Sequence, residues 1–357
     1  MFKKARLVVL VVAVLSLLLI NTASAGTGTV LFQGGRNAAY SRVIKLANGD
    51  LLAMHAVEYA DNNGEIRVYK STDNGQSFTF VTAFTDGTGY QVGTPDLIEV
   101  SSGVVLMAYC LWDDNDFGDG EWLKIARSTD EGASWSIIAT VESPSTWVWE
   151  PEFAFASDGS LQLYYSYAKS ATGTLDALGK QIIVRRQSTD GGYNWGSRTT
   201  ALGTPRGNNY GMARVTKCGS TYYMAAEWYD DAGTVMITTS SDGKTWAQSG
   251  LDAMEKSWDG WMFSTPEIVC ANGALYGLGL RYMDWVWPWN DENCGAVMLK
   301  STNGGSSWSE VPITVEFDPD SSESNYSPTL LPLDSSTMFM ITNRTTNEVR
   351  FGTASIP

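Results

Sequence analysis

Along most of the chain, apolar and polar residues alternate with a period of two, in short runs broken by turns that carry Gly, Asn or Asp. Arg42 to Leu46 reaches Asn48-Gly49 and returns as Leu51 to Ala56, and Glu152 to Phe155 reaches Asp158-Gly159 and returns as Leu161 to Tyr165. Successive side chains of a strand point to opposite faces, so this alternation predicts half-buried β-strands. A Gly-bearing turn between two such runs predicts an antiparallel hairpin. Matching pairs start near Asp96, Met212, Glu267 and Ser327, which makes six strand pairs. No stretch with helical period competes with them.

A second pattern sets the scale of the repeat. Ser71-Thr72-Asp73-Asn74-Gly75-Gln76-Ser77-Phe78 recurs from Ser128 to Trp135, from Ser188 to Trp195, one residue shorter from Ser240 to Trp246, and from Ser301 to Trp308. The acidic or amide position falls at 73, 130, 190, 242 and 303, in steps of 57, 60, 52 and 61 residues. A four-stranded propeller blade with its loops needs about 40–50 residues or more. Ser and Asp side chains bond nearby backbone N–H groups, Gly takes a positive φ, and the final aromatic packs the turn onto the blade. These turns are read as structural. The expected fold is therefore all-β, a six-bladed β-propeller of four-stranded antiparallel blades. The sixth blade, starting near Tyr326 and ending near Phe351, lacks a strand that Thr29 to Phe32 would supply, closing the ring and removing exposed edges.

Residues 1–25 read as a secretion signal: Lys3, Lys4 and Arg6, an apolar run from Leu7 to Ile20, then Ala23-Ser24-Ala25 as the cleavage pattern. Residues 26–357 form the single expected domain. The expected location is outside the cytoplasm, extracellular or periplasmic, with no membrane attachment after cleavage. The formal charge of −15 becomes −18 without the leader cations, which argues against nucleic acid and mildly against a polyanionic substrate. No Cys/His cluster resembles a metal site, and His55 is the one histidine. No metal, no cofactor and a monomer are expected. Of Cys110, Cys218, Cys270 and Cys294, the pair Cys218 and Cys270 lies near analogous hairpin turns and is one possible disulfide, with buried free thiols as the alternative.

In a propeller the first strand of each blade lines the central channel. Residues at the start of these strands are therefore candidates: Arg42, Asp96, Glu150 with Glu152, Arg214, Glu267 and Tyr326. Glu227 and Arg281 each lie eight residues after a hairpin Gly, at positions that read as matched in successive blades. Glu150, in Trp147-Val148-Trp149-Glu150-Pro151, and Glu227, in Tyr223-Met224-Ala225-Ala226-Glu227-Trp228, have aromatic neighbours that would desolvate a carboxyl and raise its pKa. Trp258, Trp261, Trp285, Trp287 and Trp289 crowd two inter-strand segments and suit a sugar surface. The expected binding set is Arg42, Asp96, Arg214, Glu267, Arg281, Tyr326, Trp149 and Trp261.

The repeated turns resemble the Asp-box, or BNR, repeats of sialidases and related propellers. Within that group the chain is most similar to glycoside hydrolase family 93, the exo-α-1,5-L-arabinanases. Three segments carry this: Ser41-Arg42-Val43-Ile44-Lys45-Leu46, Trp149-Glu150-Pro151 with Leu161-Gln162-Leu163-Tyr164-Tyr165-Ser166, and Gly211-Met212-Ala213-Arg214-Val215 leading to Glu227. The resemblance implies a retaining mechanism with two glutamates, Glu150 as nucleophile and Glu227 as acid/base, the roles being exchangeable at this stage.

Two rivals follow from the same residues. A sialidase would use Arg42 with Arg281 or Arg344 to grip a carboxylate, Tyr326 as nucleophile and Asp61 as acid. Against it, Val43-Ile44-Lys45 replaces the usual Ile-Pro, and Ala56-Val57-Glu58-Tyr59-Ala60-Asp61 lacks the arginine expected before the acid. A non-catalytic glycan-binding propeller would keep the Trp surface without needing matched carboxylates.

Overall fold

A computed structural model describes residues 28–59, 63–112, 121–143, 147–168, 181–203, 209–228, 234–254, 261–282, 294–313, 328–345 and 347–356; at 261–264, 281, 282, 294, 295, 344 and 345 the backbone alone is described. After β1 (Thr29–Gln33), blade one is built from β2 (Asn37–Lys45), β3 (Leu51–Glu58), β4 (Gly64–Ser71) and β5 (Thr79–Phe84). Blade two comprises β6 (Gln91–Ser101), β7 (Val104–Trp112), β8 (Trp122–Ser128) and β9 (Ser136–Glu142). Blade three comprises β10 (Trp147–Phe155), β11 (Leu161–Ala168), β12 (Ile182–Ser188) and β13 (Thr199–Leu202). Blade four follows with β14 (Tyr210–Cys218), β15 (Thr221–Trp228), β16 (Thr234–Ser240) and β17 (Asp252–Ala253). Blade five holds β18 (Trp261–Ala271), β19 (Ala274–Tyr282), β20 (Cys294–Ser301) and β21 (Ser309–Val311), and blade six β22 (Thr329–Pro332), β23 (Thr337–Thr345) and β24 (Glu348–Ser355).

Each blade is one four-stranded antiparallel sheet, and β1 is the outer strand of blade six in the order β1-β24-β23-β22. Its register runs from Thr29 opposite Phe351 to Gln33 opposite Glu348. The closing strand expected from Thr29 to Phe32 is therefore where the hydrophobic pattern put it.

The core lies between blades, because each sheet is apolar on both faces. Leu52, Met54 and Ile66 of blade one pack on Leu97, Met107 and Tyr109 of blade two. Leu106 and Ile125 of blade two pack on Phe153, Leu163 and Tyr165 of blade three. Equivalent clusters join blades three and four through Tyr164 and Met224, four and five through Ile237 and Leu275, five and six through Tyr276 and Met340, and six and one through Phe339 and Leu51. A Cys218–Cys270 disulfide adds a covalent link between blades four and five. Cys110 is a buried thiol.

The repeated turns have the geometry their side chains dictate. Ser128 Oγ accepts the Gly132 N–H at 2.8 Å and donates to Asp130 Oδ1 at 2.7 Å, while Asp130 Oδ1 accepts the Ser134 N–H at 2.9 Å. The pattern recurs at Asp73, Asp190, Asp242 and Asn303. These bonds hold the Asp73, Asp130, Asp190 and Asp242 carboxylates down at about 2, against burial in the case of Asp242. The glycine has a second reason besides its positive φ. A Cβ on Gly132 would lie 3.0 Å from Leu52, and one on Gly192 2.5 Å from Leu106, so these two turns press their backbone onto the second strand of the preceding blade.

Candidate active site

Five first strands break register at the same place. The breaks fall at Ala39/Arg42, Gly93/Asp96, Trp149/Glu152, Gly211/Arg214 and Ser264/Glu267. Inside each break sits one non-glycine residue in the left-handed region: Tyr40 (φ 55°), Thr94 (46°), Glu150 (52°), Met212 (48°) and Thr265 (52°). L-residues resist this conformation, and each such bulge re-aims the side chains that follow it. Pro follows Thr94, Glu150 and Thr265 directly.

Two residues after each left-handed residue, the channel is lined by Arg42, Asp96, Glu152, Arg214 and Glu267, all buried. These five charges form one network. Asp96 Oδ1 lies 3.3 Å from Arg42 Nε and 3.5 Å from Arg214 Nη1, and Glu267 Oε2 lies 3.1 Å from Arg214 Nη2. Arg214 also pairs with Glu152. The Arg214 guanidinium thus bridges three blades across the channel axis. The carboxylates also fasten first strands together: Asp96 Oδ2 accepts the Phe153 N–H at 2.7 Å, and Glu152 Oε1 accepts the Val215 N–H at 3.0 Å. In blade six, Thr329 Oγ1 donates at 2.7 Å to the Ser41 carbonyl, which also accepts from Arg42 Nη1 at 2.8 Å.

Three carboxylates face two guanidiniums in this ring, and the imbalance shows in their proton affinities. Burial, opposed by Arg214 and reinforced by Asp96 and Glu267, pushes Glu152 up to about 8. Burial likewise raises Glu267 against the pull of Arg214 and Arg42. Arg42 is lowered to about 10 by burial and by the charge of Arg214. Arg214 itself is raised, because Glu152, Glu267 and Asp96 outweigh its burial.

Above the ring a second tier links neighbouring blades through the left-handed residues. Ser166 Oγ accepts the Met212 N–H at 3.0 Å, and Glu227 Oε1 accepts the Thr265 N–H at 2.6 Å. Cys110 holds the same place in blade two, with the Glu150 N–H against its sulfur and its thiol donating to the Val148 carbonyl at 3.4 Å. Glu150 itself belongs to this tier. Its Oε2 accepts from Ser166 Oγ at 2.9 Å and from the Met212 N–H at 3.2 Å. Glu227 stands opposite Gly211, one residue before Met212. Burial and the charge of Glu227 push Glu150 up to about 8, against Ser166, Met212 and Arg42. The charge of Glu227 thus bears directly on the proton affinity of Glu150.

A further carboxyl lies in the same neighbourhood. Glu121, just before β8, is buried, reaches the Trp149 indole, and is raised well above the usual carboxylate range by burial, with the charge of Glu150 adding to the shift. Trp149 is half-buried and stacks on Trp147 with ring centroids 5.9 Å apart.

The structure thus brings Arg42, Asp96, Arg214 and Glu267 together with Glu152 in the ring, and Glu150, Glu227 and Trp149 together above it. Arg281 does not match Glu227 in register: Ser264, the residue before the left-handed Thr265, pairs with Leu280, and Arg281 lies one residue further along β19, because Gly273 is the second residue of its two-residue turn and Gly219 the first of its own. Of Arg281, Trp261 and Arg344 the backbone alone is described, and Tyr326, Asp61, Trp258, Trp285, Trp287 and Trp289 lie outside the described residues. Sequence reading missed Glu121. It also missed a second repeat that was present in the chain, Thr94-Pro95-Asp96, Glu150-Pro151-Glu152, Thr265-Pro266-Glu267 and Ser327-Pro328-Thr329. That repeat separates Glu150 from the ring, because it is the one carboxylate at the left-handed position.

Comparison with solved structures places this fold among sialidase-type propellers. The Penicillium chrysogenum α-L-arabinanase complexed with arabinobiose superposes with a TM-score of 0.73 at 20% identity, covering 92% of this chain and 98% of that one. The GH93 α-L-arabinofuranosidase of Fusarium graminearum, also with arabinobiose, gives 0.70 at 16% identity, covering 92% and 97%. The NanB sialidase of Streptococcus pneumoniae gives 0.66 at 10% identity, covering 92% and 70%. These neighbours are glycoside hydrolases, and at such identities the likeness is one of fold. By sequence, the xyloglucanase Xgh74A of Acetivibrio thermocellus is 25% identical over 224 residues, 54% of this chain. The chain spans 23% of that protein's length. No protein-family profile matches the chain.

Proposed function

We propose that this protein is a secreted, monomeric, retaining glycoside hydrolase that acts in exo mode on an α-1,5-linked L-arabinan. The observation that carries the reading is the pair Glu150 and Glu227, on adjacent blades at one mouth of the channel, where burial first and the charge of Glu227 second raise the proton affinity of Glu150 to about 8. A retaining glycosidase needs one carboxylate to attack the anomeric carbon and one carboxylic acid to protonate the leaving oxygen. Glu150 is the nucleophile in this reading. Its hydrogen bonds from Ser166 and Met212 both end on Oε2, which leaves Oε1 to attack. In the free protein burial favours the proton on Glu150. Positive charge developing at the anomeric carbon favours its ionised form, and the pair's proton then resides on Glu227. Glu227 protonates the departing oxygen and, once the glycosyl-enzyme ester has formed, takes a proton from the water that hydrolyses it.

The ring favours a neutral sugar over a sialic acid. Arg42 and Arg214 are buried and already engaged with Asp96, Glu152 and Glu267, so neither is a spare guanidinium for a substrate carboxylate. The arabinobiose complexes of two similar folds point the same way. The deciding experiment is a product screen of purified protein on linear arabinan, sialyl conjugates and aryl glycosides. Arabinobiose release supports the reading, free sialic acid replaces it with the sialidase alternative, and no product on any substrate leaves a glycan-binding propeller.

A further inference from the structure

We propose that Glu121 is a positioning residue of this site, an uncharged carboxylic acid that holds the Trp149 indole beside Glu150. The proposal rests on the reading of Glu150 as part of the reacting pair. Three observations carry it. Glu121 is 7% exposed, and its Oε2 is buried with no hydrogen-bond partner among the described residues. A buried orphan polar atom costs about 1–3 kcal/mol, and an apolar residue there would avoid that cost. The other face of the carboxyl reaches the Trp149 indole, whose N–H donates to it. Trp149 immediately precedes Glu150 and is the last residue of β10 still in register before the bulge, so its indole and the left-handed turn of Glu150 share one backbone anchor.

The groups facing Glu121 fix its charge. Glu150 on β10 presents a carboxyl group, the Cys110 thiol on β7 is itself raised by burial and by Glu121, and among the described residues the Trp149 indole is the one donor directed at it. With no cation among these described neighbours, a charge on Glu121 beside an ionised Glu150 would be strongly unfavourable, so Glu121 is the carboxyl that keeps its proton when Glu150 gives up its own. A neutral acid in this place leaves the attacking carboxylate of Glu150 unopposed and still accepts the indole N–H through its carbonyl oxygen.

Two variants and two kinds of readout test this. Glu121→Gln keeps the shape and the neutral acceptor; Glu121→Ala removes both. The protonated-carboxyl stretching band in infrared difference spectra of the whole protein should include a component that persists above pH 8 and is missing in Glu121→Gln; its absence from the unmodified protein overturns the proposal. Tryptophan fluorescence, with Trp149→Phe as the reference, should be unchanged in Glu121→Gln and red-shifted in Glu121→Ala; an unshifted Glu121→Ala spectrum also overturns it. Both readouts are independent of turnover and so stand apart from the proposed activity. On a substrate that is turned over, Glu121→Gln should stay within about threefold of the parent in kcat/KM, and Glu121→Ala should raise KM by about tenfold with a smaller change in kcat. A downward shift of the pH profile in Glu121→Gln would mean that Glu121 is ionised in the working protein and would count against the proposal.

Discussion

The Glu150 carboxylate and the Met212 backbone N–H lie 3.2 Å apart, across the boundary between blades three and four. Met212 is held left-handed, and the residue before it pairs with Glu227. One strained backbone position thus sets the spacing between two carboxylates that no single blade could hold. Strain of this kind costs on the order of 1–3 kcal/mol and persists where surrounding structure over-determines it.

The first prediction separates the two roles. Glu227→Ala should abolish turnover of substrates with a poor leaving group and spare aryl glycosides that need no proton. Azide should restore activity as a glycosyl azide. Glu150→Ala should lose activity on both substrate types. Azide rescue at Glu150 and not at Glu227 would exchange the roles.

The second concerns pH. The upper limb of kcat/KM should fall near pH 8, where the pair loses its proton. Glu227→Gln removes the second-largest cause of the Glu150 shift, so Glu150 should then titrate lower, as read by pH-dependent carbodiimide labelling. An unchanged Glu150 titration would remove the coupling on which the proposed chemistry depends.

Stability should show the same groups with a definite sign. Glu150 and Glu152 are raised from 4.5 to about 8, so the folded state binds protons more tightly than the unfolded chain does. Their contribution is fully present below about pH 4.5 and is lost as pH rises through about 8. Glu152→Gln should therefore flatten the decline of Tm with pH across that window, with the largest gain over the parent at its alkaline end. A parallel shift at every pH would assign the effect to lost hydrogen bonding.

Arg214 is the most exacting test of the ring. Arg214→Met removes the cation that Asp96, Glu152 and Glu267 share. Breaking a buried pair from one side costs about 3–5 kcal/mol. Urea unfolding should show a loss of that size, partly recovered in Arg214→Met/Glu152→Gln, where one carboxylate charge is also removed. Equal stability of the single variant and the parent would mean that the ring is not held by charge.

The repeated turns should separate stability from activity. Tyr222 opposite Ser240 and Glu227 opposite Val235 mark the two ends of one strand pair, five residues or roughly 17 Å apart. Asp130→Ala should cost about 0.5–1.5 kcal/mol, and Gly192→Ala about 1–3 kcal/mol because its Cβ meets Leu106. Neither should change kcat. A folded but inactive Asp130→Ala would move the turn into the functional machinery.

The fold was legible because its causes are local and repeated. Alternation marks the strands, and the Ser-Asp-Gly-aromatic turn marks each blade. The charged ring was legible as residues but not as an arrangement. Arg42, Asp96, Glu152, Arg214 and Glu267 stood out singly as charged residues at strand starts, yet their mutual pairing depends on closure of the whole ring. Arg281 was misaligned with Glu227 because both were counted from a hairpin glycine, and Gly219 is the first residue of its two-residue turn whereas Gly273 is the second. Glu121 was invisible, since a lone acid before a strand carries no sign that Trp149 and Glu150 lie against it.

The join between β1 and β24 has a kinetic consequence. Arg350 Nη1 reaches the Gly28 carbonyl at 3.0 Å, across 322 positions of sequence. The entropy of closing so long a loop grows only logarithmically, so the finished ring bears it easily. Folding rate, however, falls as contacts become less local. β1 leaves the ribosome far ahead of its partner β24, and until the two meet blade six exposes an unpaired edge open to any other strand. Deleting either β1 or β24 would leave that same blade ajar.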